Sequence, residues 1–256
     1  MSGLPASAHE GEAITWTVTG PLARIELARP DKGNALDEAL VDSLRGALGE
    51  IAALGCAALA IEGRGRHLCT GFDLSGLEAA TEAGLLCRFV RIELMLAQVW
   101  NAPCATAALG AGRTWGAGAD LLCAAEHRWA LPDATFRFPG AQFGIVLGTR
   151  RLAERVGSQA ARRWVLGNEE IDAPTALSAG LLTRIGTVEE YRAFTEALAA
   201  RPAPEAATAD RIRAITRGSD ADADLAELVR SAEQAGLRER ILAYRDAARR
   251  KAVRPG

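Results

Sequence analysis

The chain is short of the residues from which metal centres and disulfide frameworks are built. Its three histidines, His9, His67 and His127, stand far apart and form no HxxH or HExxH pair. None of its five cysteines, Cys56, Cys69, Cys87, Cys104 and Cys123, sits in CxxC spacing. A metal site is therefore not indicated. The cysteine count is odd and most of them lie in apolar runs, which suits reduced thiols better than disulfides. Positive charge is not in excess either: 30 Lys and Arg against 32 Asp and Glu leave a net charge of -2. That excludes the basic footprint expected of a nucleic-acid partner. No run reaches the roughly 18 apolar residues that cross a bilayer. The start, MSGLPASAHEGEA, has neither a basic head nor an apolar h-region. A cytoplasmic location away from membranes is the expectation.

What is present is an ordinary globular composition, 49 % apolar and 24 % charged over 256 residues, enough for a substantial core. Glycine is densest between Pro103 and Gly148. There the apolar run from Cys104 to Leu109 reads as a buried strand, and glycines 110, 112, 116 and 118 turn the chain. Ala119 to Ala125 is small and apolar apart from Asp120, so a helix begins inside the glycine cluster. A helix N-terminus offers unpaired N–H groups and partial positive charge, the raw material for holding an oxyanion. The same glycines are equally compatible with close helix packing alone.

Strands and helices alternate around this segment. Ala13 to Arg29 alternates on either side of Gly20-Pro21 and reads as a β-hairpin. Asp37 caps a helix with Leu40, Leu44, Leu48 and Ile51 on one face, and CAALAIEG follows as a buried parallel strand. The cycle repeats through a long helical pattern with Leu85, Phe89, Ile92 and Leu96 on one face. Then come the glycine-rich segment, HRWALP and TFRFPG as extended pieces, and two helical pieces around Gly157. Asp172, with Pro174 in the first turn, caps another helix, and TRIGTV is a last short strand. Residues 1–12 read as loose and residues 189–256 as a helical layer. The class is α/β, built either as a spiral of β-β-α turns or as a doubly wound sheet.

Five pieces, in order, resemble the crotonase superfamily, the enoyl-CoA hydratase/isomerase family. They are RPDKGNAL at 29–36, HLCTGFDLSGL at 67–77, WGAGADLLCAAEHRWA at 115–130, ATFRFPGAQFGIVLG at 134–148 and VLGNEEIDAPTALSAGLLTRI at 165–185. The resemblance implies a crotonase-like (ClpP/crotonase) spiral of repeated β-β-α units over residues 1–188. It further implies a C-terminal helical region over 189–256 that mediates oligomers, as homotrimers or dimers of trimers. It points to fatty acid metabolism, with an acyl-CoA thioester as partner. Coenzyme A then enters as part of the substrate, with no tightly bound cofactor.

The chemistry shared by that family is stabilisation of a thioester enolate by two backbone N–H groups. Carried over residue by residue, the donors fall on Phe72, where the family usually has Ala, and on Ala117, where it usually has Gly. Backbone donors do not depend on side-chain identity, so both substitutions keep the hole. The Phe72 ring either narrows the pocket or packs as a core aromatic. Asp120 matches the first catalytic glutamate and is one methylene shorter; an acid in the first turn of a helix also has a purely structural reading. Gly140 takes the place of the second catalytic glutamate, so two-carboxylate water addition lacks a partner. Acids used by other branches are absent as well, since Leu147 and Gly148 stand at those positions.

The same matching places CoA and substrate contacts on Lys32, Ala35, Leu36, Cys69, Gly71, Leu74, Gly116 and Gly140. Arg24, Arg29 and Lys32 are candidate phosphate partners, as are Arg249, Arg250 and Lys251 reaching from a neighbouring subunit. His67 is either an added base or a solvent-facing loop residue, and Cys69 either a nucleophile or a packed thiol. Asp73 holds its loop by hydrogen bonds. Arg137 either meets a substrate carboxylate or pairs with Asp133 or Glu126. The implied function is an acyl-CoA-transforming lyase or isomerase with one acid/base carboxylate. Two rivals stand beside it: a non-catalytic acyl-CoA-binding or scaffold protein of the same fold, and a CoA-independent carbonyl hydrolase.

Overall fold

The computed structural model describes residues 7–202, 205–218 and 220–253. A hairpin opens the main sheet: β2 (Ile14–Thr19) and β3 (Leu22–Leu27) pair antiparallel across Gly20-Pro21, as their alternation requires. Outside β2 lies β1 (Ser7–Glu10), with His9 stacked on Trp16 at 4.2 Å. The stretch read as loose therefore ends in an edge strand. Four residues carry too little periodicity to announce it, and pairing with β2 supplies what propensity does not.

Parallel strands β4 (Ala58–Gly63), β5 (Ala105–Gly110), β7 (His127–Ala130) and β10 (Arg184–Ile185) continue the sheet beyond β3 in that order. β4 and β5 are apolar but for Glu62 and Thr106, because both faces of the sheet are covered there. One face packs on α1 (Glu38–Leu54), α2 (Glu82–Trp100), α3 (Ala117–Ala124) and α4 (Thr149–Gly167). The other packs on α6 (Val188–Ala199), whose Tyr191 is wholly buried. The Tyr191 hydroxyl donates to Ala107 O at 3.0 Å and accepts from Ile61 N–H at 3.2 Å, tying β4 to β5.

The second strand of each turn leaves this sheet. β6 (Arg113–Trp115) follows β5, and β8 (Thr135–Arg137) follows β7. They pair parallel with each other, and β9 (Ile171–Asp172) adds antiparallel to β8. β5-β6-α3 and β7-β8-α4 are thus the expected β-β-α turns. One turn earlier the second strand shrinks to isolated bridges, Cys69 with Thr114 and Leu36 with Phe72. Those bridges lay residues 69–72 alongside the start of α3.

Helix starts follow their caps. Asp37 accepts from Leu40 N–H at 2.8 Å, and Asp172 accepts from Thr175 N–H at 2.8 Å at the head of α5 (Ala173–Ser178). α2 starts later than its apolar pattern because Thr81 caps it, leaving Leu77–Ala79 as a separate 3-10 turn. α4 changes direction at Gly157, where φ is 78° and ψ 155°.

After α6 come α7 (Ala206–Thr216), α8 (Ala221–Ala232) and α9 (Leu237–Val253), so the end of the chain is helical as read. Leu228, Ala232, Leu237 and Ile241 fold back onto Leu85, Phe89, Phe143 and Ile145. Glu82 caps α9 by accepting from Leu237 and Arg238 N–H at 2.9 Å each, and Arg240 Nε donates to Phe143 O at 3.1 Å. Among the described residues no helix is long and apolar enough to cross a membrane.

Candidate active site

The loop at residues 69–72 and the N-terminus of α3 touch through glycine. A Cβ on Gly118 would lie 2.1 Å from Cys69 O, and one on Gly71 would lie 2.8 Å from Trp115 O and 3.4 Å from Ala117 N. Neither position admits a side chain, and Gly71 also sits at φ 97°. The glycines thus serve both readings at once, close packing and an open helix end. Around this contact the backbone is tied: Trp115 N–H donates to Cys69 O (3.1 Å), Gly116 N–H to Arg137 O (2.7 Å) and Leu36 N–H to Gly71 O (2.7 Å). Several amides of the described residues are left over, including Gly118 and Ala119 N–H in the first turn of α3. Among the described residues neither Phe72 N–H nor Ala117 N–H, the first of α3, donates to an acceptor. Both residues line a cavity of about 550 Å³.

Asp120, one turn into α3, lines the same cavity and is only 5 % exposed. Its Oδ1 has no partner among the described residues and lies over Gly148, where a Cβ would come within 2.2 Å of it. Oδ2 is left as the atom that meets the cavity. Burial pushes the Asp120 carboxyl well above the usual carboxylate range. The Arg151 guanidinium opposes this and the Glu93 carboxylate adds to it. Burial therefore favours the protonated form of the acid. Gly140 stands in the 3-10 turn Pro139–Phe143, and its O accepts from Ile145 N–H at 2.9 Å. A Cβ there would lie 2.9 Å from Ile145 O, so the backbone itself closes the place of a second acid.

The enoyl-CoA hydratase/isomerase family model matches residues 18–244. The chain belongs to this family. The probable enoyl-CoA hydratase echA6 of Mycobacterium bovis is 34 % identical over 178 residues, 68 % of this chain and 71 % of that protein. Mouse ethylmalonyl-CoA decarboxylase is 30 % identical over 132 residues, 50 % of this chain but only 41 % of its own. Among solved structures, one from Bordetella parapertussis described as an enoyl-CoA hydratase/isomerase superposes with a TM-score of 0.86. It shares 35 % identity over 98 % of this chain and 100 % of that one.

Against the family pattern, the other expected contacts divide. Lys32, Ala35, Gly71, Leu74, Gly116 and Gly140 line the cavity. Leu36 and Cys69 do not: Leu36 N–H and O are bound to Gly71 and Asp73, and Cys69 O is bound to Trp115. Cys69 is a packed thiol, its pKa pushed up to about 12 by burial. His67 lines a different, smaller cavity of about 330 Å³ with Arg66, Arg113 and Asp133. Its Nδ1 accepts from Arg113 N–H at 3.0 Å, and burial, then Arg113 and Arg66, lower its pKa. It cannot serve Asp120's cavity.

Asp73 holds its loop as expected. Burial works upward on it, but hydrogen bonds from Ser75 and then Arg29 hold the carboxyl below its ordinary value. Arg29 is committed to Asp37 and Asp73, and Arg24 to Glu62 and Thr195, so neither is free for a phosphate. Arg137 Nε donates to Asn168 O (3.1 Å) and Oδ1 (2.9 Å) and forms neither expected ion pair.

The cations that do line the cavity are Lys32, Arg245 and Arg249. Arg249, expected to reach in from a neighbouring subunit, comes here from the chain's own α9, and Arg245, which was not foreseen, comes from the same helix. Arg250 is exposed, and the Lys251 side chain lies outside the described residues.

Sequence reasoning missed the cavity's aromatic wall. Phe72 stacks on Phe89 (4.4 Å between centroids), Phe89 meets Phe143 (6.4 Å), and Phe143 meets Tyr244 (5.2 Å). All four line the cavity. Phe72 is therefore a wall, with Arg88 over its outer face at 4.1 Å. Glu93 was missed too, although an acid on the helix face of Phe89, Ile92 and Leu96 is a signal in itself.

Proposed function

We propose that this chain is an acyl-CoA enzyme that makes or consumes a thioester enolate and has a single acid at the reacting carbon. The Phe72 and Ala117 N–H groups donate to the thioester oxygen, where negative charge develops. Each such donor in a water-poor site is worth about 10²- to 10³-fold in rate. Asp120 moves the proton at the α-carbon. Its burial favours the protonated form, which suits a donor more than a base. Lys32 and Arg249, both exposed where they line the cavity, suit the phosphates of CoA, whereas Arg245 is already paired with Glu78 and Asp246.

One acid is enough for double-bond migration and for decarboxylation, but not for the two-carboxylate addition of water. In decarboxylation the bond from the α-carbon to the departing carboxylate breaks and its electron pair becomes the enolate. Carbon dioxide leaves, and the Asp120 O–H breaks as the new C–H forms. The likeness to a decarboxylase favours this reaction, and so does a reacting end walled by aromatic rings. The reading rests on one observation: a buried, unpartnered carboxyl in the same cavity as two unpaired amides, opposite a position the backbone has closed. A binding protein or scaffold would gain nothing from so costly a group. Exchange of the α-protons of butyryl-CoA in D2O, followed by proton NMR as the pH is raised until the Asp120 carboxyl ionises and can take the α-proton, tests it. Wild type exchanges and Asp120→Asn is at least about 10²-fold slower while still binding CoA. Equal exchange in the two proteins removes Asp120 from the chemistry, and a wild type that neither exchanges nor binds removes acyl-CoA.

A further inference from the structure

The cavity-facing acid has a buried partner behind it. Arg151, on α4 and 1 % exposed, donates through Nη1 (3.0 Å) and Nη2 to Glu93 Oε1 on α2. Its Nη1 also lies 3.3 Å from Asp224 Oδ2 on α8. On the outer side, Arg150 Nε approaches Asp224 Oδ1 to 2.6 Å. Three buried atoms here lack a partner among the described residues: Asp120 Oδ1, Glu93 Oε2 and Arg151 Nε.

The charges do not balance if every acid is ionised. Arg150 answers Asp224, so Arg151 is left as the one buried cation for two carboxyls, Glu93 and Asp120. The other titratable neighbours of Asp120 are Cys69 and Cys123, both pushed up to about 12 by burial and so uncharged. A second carboxylate with no cation in apolar surroundings is strongly disfavoured and keeps its proton instead. Because Glu93 accepts two of the three Arg151 hydrogen bonds and Asp120 accepts none, the anion belongs there and the proton to Asp120.

We propose that Asp120 and Glu93 share one proton across Arg151, and that Glu93 is the positioning residue that keeps the cavity-facing carboxyl loaded. The proposal rests on the reading of Asp120 given above. When the α-carbon takes the proton, the O–H electron pair stays on Asp120 and Arg151 faces two anions. The pair then recovers a proton from water once the product has left. Burial raises both groups: Glu93 goes to about 7, with the Asp224 carboxylate adding to the rise, and at Asp120 the Glu93 carboxylate adds to it.

Two variants of the full chain, Glu93→Gln and Asp120→Asn, decide it. In the substrate-free protein at neutral pH, infrared spectroscopy shows the carbonyl stretch of a protonated buried carboxyl in wild type. The stretch is absent from both variants, because either deletion leaves Arg151 a single carboxylate to match. A band that survives in either variant overturns the proposal, whether or not the protein turns over any thioester. If Glu93→Gln does not fold, the Asp120→Asn spectrum alone decides. In the α-proton exchange assay, the pH midpoint of Glu93→Gln falls by one unit or more, a tenfold change in proton affinity. Its KM for the acyl-CoA stays within about twofold of wild type, since Glu93 does not line the cavity. An unchanged midpoint, or a KM effect with the midpoint fixed, means that Glu93 only holds the fold. Absence of exchange in wild type would instead sink the reading of Asp120 and leave the infrared result standing.

Discussion

Gly118→Ala is the sharpest perturbation of the amide pair. The new Cβ would sit 2.1 Å from Cys69 O, a backbone atom already held by Trp115 N–H. Carbon and oxygen approach to roughly 3.3 Å at closest, so the head of α3 must retreat from the loop by about 1 Å. That retreat separates Ala117 N–H from Phe72 N–H by a similar amount. A donor displaced this far is nearly lost, which costs about 10²- to 10³-fold in rate. Forcing a methyl into packed backbone costs about 1–3 kcal/mol, which lowers Tm by roughly 2–10 °C in a chain of this size. The assay is α-proton exchange beside a thermal melt. Gly49→Ala on α1 is the control, since a Cβ there meets nothing within 4 Å and should add up to about 1 kcal/mol of stability. A Gly118→Ala protein that melts low but exchanges at the wild-type rate refutes the amide pair. One that melts like wild type refutes the contact itself.

The remaining expectations follow from the same geometry. Gly140→Glu gains no hydration of crotonyl-CoA, because its Cβ meets Ile145 O at 2.9 Å; measurable hydration would show that the turn can yield. Tyr191→Phe strands Ile61 N–H and Ala107 O and lowers stability by about 1–3 kcal/mol in urea melts, with exchange unchanged. With Asp120 already loaded, Glu93, raised by burial from 4.5 to about 7, takes up a second proton in the folded chain as pH falls below about 7, one that the unfolded chain does not hold until lower pH. Stability present at low pH is therefore lost as pH rises through the window, by on the order of 3 kcal/mol. Glu93→Gln flattens that slope; an equal slope in the variant points to another group. Lys32→Ala combined with Arg249→Ala raises KM for acyl-CoA several-fold and spares kcat, and a fall in kcat would place those cations nearer the chemistry.

The β-β-α turns were legible because each carries its own punctuation. Asp37 and Asp172 announce caps, Gly157 a break, and Gly118 a contact. Local residues decide such features, so one stretch of chain suffices to see them. Hidden in the sequence were the pairings across distance. Glu93 and Arg151 meet only because α2 and α4 pack against α3 from two sides. Arg137 had three nearby acids or substrates to choose from and took the Asn168 oxygens, which β8 and the end of α4 bring together. Likewise no periodicity says which cavity a last amphipathic helix will roof. Glu82 and Phe143 settle that for α9 by binding its head and Arg240.

Everything above turns on where the thioester oxygen lies, and a crystal structure of the protein with butyryl-CoA would show it. The account places that oxygen about 2.7–3.1 Å from both Phe72 N and Ala117 N, with the α-carbon facing Asp120 Oδ2. An oxygen bound to neither amide, or an acyl chain turned away from Asp120, would contradict it.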